Sequence, residues 1–241
     1  MLSHCRRGPA RAAKALTRQS PGAGWRYAWP MPDQPIPMTN LPPEPAFSGP
    51  AERNKQPILE VLRSFLPQTG RALEIASGTG QHVAWFAQQL PQWQWQPTDL
   101  GDELFPHIAA RVASLAQVRP PLTLDVRSAA WLPAHERFEL IYCANMLHIA
   151  PWACCAGLMQ GAARHLAPGG RLVTYGPYLE DEVATAEGNL AFDASLRARN
   201  PDWGIRRREA VQAEAERAGL TLAARHAMPA NNLLLVWTRA D

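Results

Sequence analysis

One acidic residue and two glycines are spaced so that they could hold a nucleotide-like ligand. Glu74 precedes Gly78 by four positions and Gly80 follows, which gives the pattern acid-x-x-x-Gly-x-Gly. The apolar residues before this pattern and the amphipathic segment after it predict a buried strand, a glycine turn and a helix start. Such a junction directs backbone N–H groups and the positive end of a helix dipole at the ligand. A carboxylate at Glu74 can also hold an ammonium group, which a pyrophosphate lacks.

A second acidic residue, Asp99, ends the next predicted strand, 19 residues after Gly80. In doubly wound folds a carboxylate at this place accepts hydrogen bonds from ribose hydroxyls, although an ordinary turn aspartate is the alternative interpretation. A dinucleotide fingerprint would need a third glycine for close packing of the helix on the strand, and Val83 stands there instead. The spacing therefore disfavours an NAD-dependent oxidoreductase.

Two polar side chains accompany the end of the fourth predicted strand. The segment 138–145 is almost entirely apolar, as a central parallel strand should be, and Asn145 and His148 lie at and just beyond its end. Ligands in open α/β sheets bind outside the carboxyl ends of the strands. Because neutral imidazole can accept a proton near pH 7, we predict that His148, with Asn145, acts as a general base or orients a substrate. A histidine with a purely structural role in the core is the alternative.

Four further residues are candidates for a substrate pocket. Tyr175 and Tyr178 flank the carboxyl end of the fifth predicted strand, where they could wall the pocket. Asn54 and Asn189 lie on predicted helices and are weaker candidates, because solvent-facing helix positions explain them equally well. No pattern of cysteines or histidines suggests a metal site, since the four cysteines show neither C-x-x-C spacing nor separated pairs.

The elements that must position these residues alternate between strands and helices, which predicts an α/β fold with a mostly parallel sheet. A final antiparallel hairpin, 220–228 and 233–238, is expected to close the sheet. The predicted helices are 51–66, 81–90, 102–116, a helix reaching 167, 189–199 and 207–218. The other predicted strands are 72–76, 93–97, 121–126 and the end of 166–177, where the strand follows a Pro-Gly-Gly turn.

Composition places the chain among ordinary globular proteins. Its 241 residues are 46% hydrophobic and 19% charged, and no apolar run reaches the length of a membrane helix. The net charge of +3 is uneven: residues 1–46 carry six basic and two acidic groups, and the remainder carries 18 and 19. The main part therefore has no overall field to attract nucleic acid. Unpaired cysteines favour a reducing, cytoplasmic location.

Residues 1–50 are rich in Pro, Gly, Ala and Arg, which predicts a disordered leader ahead of a single domain, 51–241. Its Arg-rich, acid-free first half could be an organelle transit peptide. An over-extended start, with Met31 or Met38 as the true initiator, is the favoured alternative.

Six stretches together resemble the methyltransferase-like family known as domain of unknown function 938, within the class I S-adenosylmethionine (SAM)-dependent methyltransferases and including the methyltransferase-like 26 group. They are AERNKQPILEVL, LEIASGTGQH, CANMLHIAPW, PGGRLVTYGPY, NLAFDASLRARNPDWGIR and PANNLLLV. The resemblance covers about residues 47–239. It implies a Rossmann-like fold with a seven-stranded, mostly parallel sheet, one antiparallel strand and helices on both faces.

The resemblance also implies SAM as the cofactor and assigns it a set of residues. Glu74 and the turn backbone would seat the methionine part, and Asp99 would hold the ribose. Asp125 would meet the adenine amine, with Val126 packed against the ring. The residues of the turn are Ala76, Ser77, Gly78, Thr79 and Gly80. Ala76 departs from the family pattern, because a glycine is common there.

The resemblance implies little about the methyl acceptor. A small molecule is the expected substrate, because the fourth strand ends in ANMLH rather than in the Asn/Asp-Pro-Pro-aromatic motif of amino-group nucleic-acid methylases. A non-catalytic domain that binds SAM or a protein partner is the main alternative, and the oxidoreductase is a weaker one.

Overall fold

A computed structural model of the chain describes residues 44–239. Residues 1–43, most of the predicted leader, lie outside this range. The remaining residues of that prediction, 44–50, are part of the ordered body: Ser48 caps the first helix, its side chain accepting a hydrogen bond from the Ala51 N–H, and the helix starts at Gly49. The body therefore begins several residues before the predicted boundary.

Eight strands and six helices form the body. The strands are β1 (Gly70–Ile75), β2 (Trp93–Asp99), β3 (Leu122–Thr123), β4 (Phe138–Ala144), β5 (Leu166–Leu179), β6 (Arg206–Arg207), β7 (Leu220–Met228) and β8 (Asn232–Arg239). The helices are α1 (Gly49–Arg63), α2 (Gln81–Gln89), α3 (Phe105–Val112), α4 (Ala153–His165), α5 (Glu187–Arg199) and α6 (Arg208–Arg217).

The sheet confirms the predicted fold class. Seven strands follow the order β3-β2-β1-β4-β5-β8-β7, and the short β6 pairs with the end of β5. Strand β8 is antiparallel to both β5 and β7, whereas β1 pairs in parallel with β2 and β4. The carboxyl ends of β1, β2, β4 and β5 thus meet at one edge, where the polar candidates were expected.

Alternate residues of each strand enter two apolar layers on opposite faces of the sheet. Ala72 of β1 packs in the layer that includes residues of α1, α2 and α3. Its neighbour Leu73 packs in the layer that includes residues of α4 and α6. This alternation follows from the two-residue period of a strand, and it decides which candidate side chains can face one another.

Three predicted elements differ from the structure. The third strand was predicted over 121–126, but ladder pairing with β2 extends only over Leu122–Thr123, at the edge of the sheet. Helix α3 is shorter than the predicted 102–116. The Pro-Gly-Gly segment lies inside β5, where Gly169 has a φ of 72° and the pairing of β4 with β5 shifts register.

Helix α5 is only lightly covered by the rest of the body. Leu196 is buried, whereas the large apolar side chains of Leu190 and Phe192 are exposed. Within residues 44–239, no helix has the length and apolar character needed to cross a membrane.

Candidate active site

The turn between β1 and α2 is shaped by three residues in the left-handed region. Ala76, Gly78 and Gly80 have φ values of 56°, 55° and 74°. A side chain at Gly80 would press within about 3.0 Å of Ile108, whereas a Cβ at Gly78 would meet no atom within 4 Å. Gly78 therefore leaves the turn open to a ligand, and Gly80 lets α3 pack closely behind it.

Hydrogen bonds fix this turn to the neighbouring strand and helix. Ser77 donates its N–H to the Thr98 carbonyl at 2.8 Å, and its hydroxyl accepts the Thr98 N–H at 3.2 Å. Arg111 of α3 donates its Nε–H to the Thr79 carbonyl at 2.9 Å. The turn is thus held from both sides before any ligand binds.

Glu74 lies at the end of β1 directly beneath the turn. It is 1% exposed, and its Oε2 atom has no hydrogen-bond partner among the described residues. The pKa of this carboxyl is raised from 4.5 to about 8, mainly by burial. A hydrogen bond with Ser77 opposes the increase, and the charge of Asp99 adds to it. A buried, unsatisfied carboxyl is costly for a fold, so it indicates a place for a ligand group.

Asp99 lies at the end of β2 and contacts the turn directly. Its carboxylate accepts the Gly78 N–H at 2.7 Å and the Leu100 N–H at 2.8 Å. Burial raises its pKa, and these two hydrogen bonds oppose the increase. The structure therefore places Glu74, the turn and Asp99 together, as the sequence spacing predicted.

The two residues expected to contact adenine lie in different surroundings. Asp125 is half-buried and paired with Arg127 at 2.6 Å, and hydrogen bonding from this guanidinium lowers its pKa. Val126 is buried in the apolar layer, and its carbonyl accepts the indole N–H of Trp131 at 3.0 Å. Because β3 ends at Thr123, both residues belong to a loop rather than to a strand end.

Helix α1 covers the turn from one side through a polar pair. Asn54 is buried, and its Oδ1 lies 2.6 Å from Nε2 of His82 in the first turn of α2. Burial, with the nearby charge of Lys55, lowers the pKa of His82 to about 4. A neutral ring donates its Nε2 proton to the Asn54 carbonyl oxygen in this geometry. His82 was not predicted as a site residue, although it closes the LEIASGTGQH stretch.

The crowded charges at the start of α1 have a structural explanation. Glu52 accepts a hydrogen bond from Gln81 Nε2 at 3.0 Å and forms an ion pair with Lys55. The Ser48 N–H bonds the side-chain oxygen of the same Gln81. Arg111 completes the contact, because its guanidinium also donates to the Ala46 carbonyl. The beginning of α1 is thereby attached to the glycine turn.

Two tyrosines lie in the apolar layer of α1, α2 and α3, one on β4 next to the strand of Glu74 and one on β5 beyond it. Tyr142 of β4 is the register partner of Glu74, is fully buried, and has no hydrogen-bond partner for its hydroxyl within residues 44–239. Tyr175 of β5 is 4% exposed, and burial raises its pKa, opposed by hydrogen bonding with Asn54 and Asn232. Of the predicted substrate-pocket residues, the structure therefore brings Asn54 and Tyr175 together.

Asn145 and His148 converge over β5, as expected for neighbouring strand ends. Asn145 has a φ of 60° and donates its N–H to the Tyr175 carbonyl at 2.8 Å. A Cβ at Gly176 would lie 3.3 Å from His148 Nδ1 and 3.6 Å from Asn145 Oδ1. The absence of a side chain at Gly176 thus makes room for both groups.

His148 is buried beneath α5. It is 6% exposed, and its ring centroid lies 5.6 Å from that of Phe192. Burial lowers its pKa to about 4, helped by the charges of Arg206 and Arg199. The ring is therefore neutral at pH 7 but is a much weaker base than the sequence prediction assumed.

The loop that carries His148 is fixed by the segment before α6. Arg206 donates to the carbonyls of Leu147 at 2.9 Å and Ala150 at 2.6 Å. The Gly204 N–H bonds the His148 carbonyl at 2.9 Å. Arg206 is a positioning residue that sequence reasoning missed, because nothing in the spacing indicated that it reaches back to this loop.

Tyr178 and Asn189 lie in a different place from Asn54 and Tyr175. Both line a groove of about 200 Å³ between the segment before α5 and the β7–β8 hairpin. The Tyr178 hydroxyl is turned inward and donates to Thr174 Oγ1 at 2.9 Å, and Asn189 donates to the Asn231 carbonyl at 3.1 Å. Asn232, whose side chain is near enough to lower the pKa of Tyr175, lines this groove as well.

Comparison with known proteins identifies the family of the chain and similar folds. The family model described as "Protein of unknown function (DUF938)" matches residues 45–239. The fold is similar to that of an O-methyltransferase family protein from Burkholderia thailandensis, with 17% identity and a TM-score of 0.66 over 78% of this chain and 57% of that one. It is also similar to CalO1, a methyltransferase in calicheamicin biosynthesis in its SAH-bound form, with 16% identity and a TM-score of 0.64 over 80% and 56%.

A third similar structure is an O-methyltransferase family 2 protein from Planctomyces limnophilus in complex with apigenin. It shows 16% identity and a TM-score of 0.61 over 77% of this chain and 62% of that one. The chain thus spans less than two thirds of the length of each of these proteins. At such identities the likeness establishes a shared class I methyltransferase fold.

Proposed function

The chain belongs to the DUF938 family, and we propose that it is a SAM-dependent methyltransferase whose methyl acceptor is a small molecule. The observation that carries this proposal is the Glu74 carboxyl, which is buried beneath an open glycine turn with one oxygen that no residue of 44–239 bonds. The methyltransferase fold of its structural neighbours supports it, and one neighbour holds SAH. A relationship to the methyltransferase-like 26 group remains part of the proposal.

The residues around the turn suit the cofactor. Glu74 faces the place for an ammonium group, and the open space at Gly78 admits the methionine part against the turn backbone. Asp99 has two backbone hydrogen bonds, and a carboxylate has capacity for more, so it can also accept ribose hydroxyls. Asp125 would accept from the adenine amine while it keeps its bond to Arg127, with Val126 beside the ring.

The chemistry follows from how the chain would hold the acceptor. When bound, SAM supplies an electrophilic methyl group on a sulfonium, so the protein needs mainly to align the acceptor and exclude water. Asn145 and His148 face the space above Gly176. With a pKa of about 4, His148 accepts a hydrogen bond from the hydroxyl of the methyl acceptor and orients this hydroxyl, rather than removing its proton.

The groove beside α5 is not lined by Asn145 or His148, so we propose it for the part of the acceptor that lies away from the methylated group. Its charged residues are already paired, because Glu180 binds Arg225 at 2.5 Å and Arg208 at 3.0 Å. The remaining polar lining is provided by amides and a hydroxyl, including Asn189, Asn232 and Thr185. A neutral molecule of about one ring, with groups that accept and donate hydrogen bonds, fits this lining.

One observation favours a second candidate, a domain that binds SAM without turnover. His148 is 6% exposed and lies beneath Phe192, so α5 must move before an acceptor can reach it. By contrast, an NAD-dependent oxidoreductase gains no support. Val83 is fully buried in the apolar layer of α1, α2 and α3 at the position where the dinucleotide fingerprint requires glycine.

We propose that the domain predicted over residues 51–241 begins a few residues earlier, because Ser48 caps the first helix and Arg111 bonds the Ala46 carbonyl. The preceding leader keeps its two interpretations, a transit peptide or an over-extended start at Met31 or Met38. We also propose a cytoplasmic location, because Cys143, Cys154 and Cys155 are buried free thiols that suit a reducing compartment.

Isothermal titration with SAM and with NADH tests the cofactor assignment. We expect SAM to bind and NADH not to bind, and binding of NADH alone would overturn the assignment. Turnover is then tested by incubating the protein with methyl-labelled SAM and fractionated cell extract. Label transfer to a small-molecule fraction supports the enzyme, whereas SAM binding without transfer to any fraction supports the non-catalytic alternative.

A further inference from the structure

Two buried oxygen atoms, which belong to directly opposite residues of neighbouring strands, lack hydrogen-bond partners within residues 44–239. They are Oε2 of Glu74 and the hydroxyl of Tyr142, and no described residue bonds either of them. The two residues are register partners in the parallel β1–β4 ladder, so their side chains leave the same face of the sheet. They are 1% and 0% exposed. Two unsatisfied oxygens together at such depth are rare in folded proteins, and they indicate a missing donor.

The charges around this pair show which donor is missing. Asp99 on β2 has the same sign as an ionised Glu74 and disfavours it. Lys55, the nearby cation on α1, is held by Glu52 and lies 4.6 Å from the centre of the Trp85 ring. A ligand that brings several N–H donors and a positive charge would satisfy both oxygens and offset the negative charge. A primary ammonium has these properties.

We propose that Glu74 and Tyr142 together bind the ammonium group of the cofactor's amino-acid part, and that Glu74 releases a proton to solvent as this group enters. The inference rests on the proposed function and adds to it a second binding residue and a proton coupled to binding. In the step, the carboxyl O–H bond breaks and the proton passes to the buffer. The ammonium keeps its three N–H bonds, two of which then point at the carboxylate and the tyrosine oxygen.

The titration behaviour of the surroundings agrees with this step. Without a ligand the pKa of Glu74 is about 8, so the group is mostly protonated at pH 7, and a bound cation would lower this pKa. His82 on α2, with a pKa of about 4, is neutral at pH 7. Burial raises the pKa values of both Tyr142 and Cys143, so these groups stay neutral too. Asp99 is the other carboxyl beside the glycine turn, and burial raises its pKa too. A Glu74 variant is therefore needed to show which of the two carboxyls releases the proton.

Calorimetry with two probes tests the proposal. S-adenosylhomocysteine carries the amino-acid part, and 5′-methylthioadenosine lacks it while keeping the nucleoside. Titrations at pH 7 in phosphate and in Tris, whose ionisation enthalpies differ, should show release of most of one proton with the first probe and none with the second. Affinity for the first probe should rise about tenfold from pH 6 to pH 7.

Variants assign the effect to residues. Tyr142→Phe removes an unpaired hydroxyl and should fold normally, and it should bind S-adenosylhomocysteine about tenfold more weakly with unchanged affinity for 5′-methylthioadenosine. Glu74→Gln should abolish the proton release, and Glu60→Gln, on the exposed side of α1, should keep it.

Three results would overturn the inference: binding of both probes without any buffer dependence, proton release that persists in Glu74→Gln, or equal weakening of both probes in Tyr142→Phe. If the unmodified protein binds neither probe, the proposed function itself fails, and the inference fails with it. The two failures are therefore distinguishable.

Discussion

The two halves of the candidate site are built in different ways. The cofactor half consists of Glu74, the turn 76–80 and Asp99, and it is braced between two central strands by hydrogen bonds of 2.7 to 3.2 Å. The acceptor half consists of Asn145, His148 and the covering helix α5. Its loop is fixed from behind by Arg206, but α5 leaves large apolar side chains in solvent.

This difference separates binding from access. In the proposed cofactor half, hydrogen bonds to β2 hold the glycine turn and Asp99 together. In the proposed acceptor half, Phe192 of α5 covers His148, so the proposed acceptor would reach this side chain only if α5 moves. Regions with few buried apolar contacts open at low free-energy cost, which suits a helix that must move.

The largest effect is expected from Glu74 in the absence of any ligand. The folded-state pKa of about 8 exceeds the ordinary value of 4.5, so the folded protein binds more protons than the unfolded chain between these values. The contribution of Glu74 to the free energy of unfolding should therefore fall as pH rises from about 4.5 to 8 and level off above, by an amount on the order of a few kcal/mol. His82 and His148 act in the opposite direction below pH 6.5, because burial lowers their pKa values from 6.5 to about 4, so the decrease is expected between pH 6.5 and 8.

Urea unfolding at about pH 6.5, 7.5 and 9, where the two buried histidines stay neutral, checks this dependence. Glu74→Gln should flatten the decrease, and the exposed-site control Glu60→Gln should retain it. An unchanged decrease in Glu74→Gln would show that the cofactor half does not contain the responsible group.

The second prediction addresses the acceptor half. His148→Ala should lower turnover of an identified acceptor about 100-fold, at the lower end of the range for lost acid–base residues, because the ring orients the acceptor. SAM affinity measured by calorimetry should stay within about twofold. Unchanged turnover would remove His148 from the mechanism, and a matching loss of SAM affinity would show that the two halves are not separate.

The third prediction addresses the ribose carboxylate. Asp99→Ala should weaken SAM binding at least tenfold, since a hydrogen bond to a charged group contributes about 1.5 to 3 kcal/mol. The Gly78 N–H also loses its partner in this variant. Asp102→Ala, at an exposed neighbouring position, is the control and should bind SAM normally. Equal affinities of the two variants would contradict the assignment.

The smallest effect is expected at Ala76, whose left-handed backbone is costly for any residue with a side chain. Ala76→Gly should stabilise the protein by about 0.5 to 1 kcal/mol, after allowance for the greater entropy of glycine in the unfolded chain. Ala84→Gly, inside α2, should destabilise it by about 1 kcal/mol. Thermal unfolding of the pair checks the opposite signs, and two destabilised variants would contradict the strain at Ala76.

The sequence predicted the fold and the convergence of Glu74, the glycine turn and Asp99 because their signals are local. Strand alternation, glycine spacing and the acids at strand ends each fall within a short window, and all of these groups converge in the structure. The extent of β3 was wrong, since an apolar run shows where a strand fits but not where its ladder with β2 stops. Helix α1 and the ordered part of the chain also begin earlier than predicted. The contacts responsible, the Ser48 cap and the bond from Arg111 to the Ala46 carbonyl, are visible only in the structure.

The acceptor half was harder to predict because its parts come from distant segments. Nothing near His148 in sequence shows that Phe192 covers it or that Arg206 holds its loop. In the sequence, Tyr142 is one residue of an apolar strand. Its position opposite Glu74, and the lack of a partner for its hydroxyl within residues 44–239, are visible only in the structure. Tyr178 and Asn189 were grouped with Tyr175 and Asn54, but they line a separate groove that shares Asn232.

The two margins of the sheet affect how copies of the chain behave when they are crowded together. Strand β3 offers a ladder of only two residues, and β7 is interrupted by a bulge between Leu222 and Ala224 and carries Arg225 beside Glu180. Short, bulged or charged margins resist the addition of a strand from another molecule. The fold thereby discourages edge-to-edge aggregation, while the carboxyl ends of its central strands stay available for ligands.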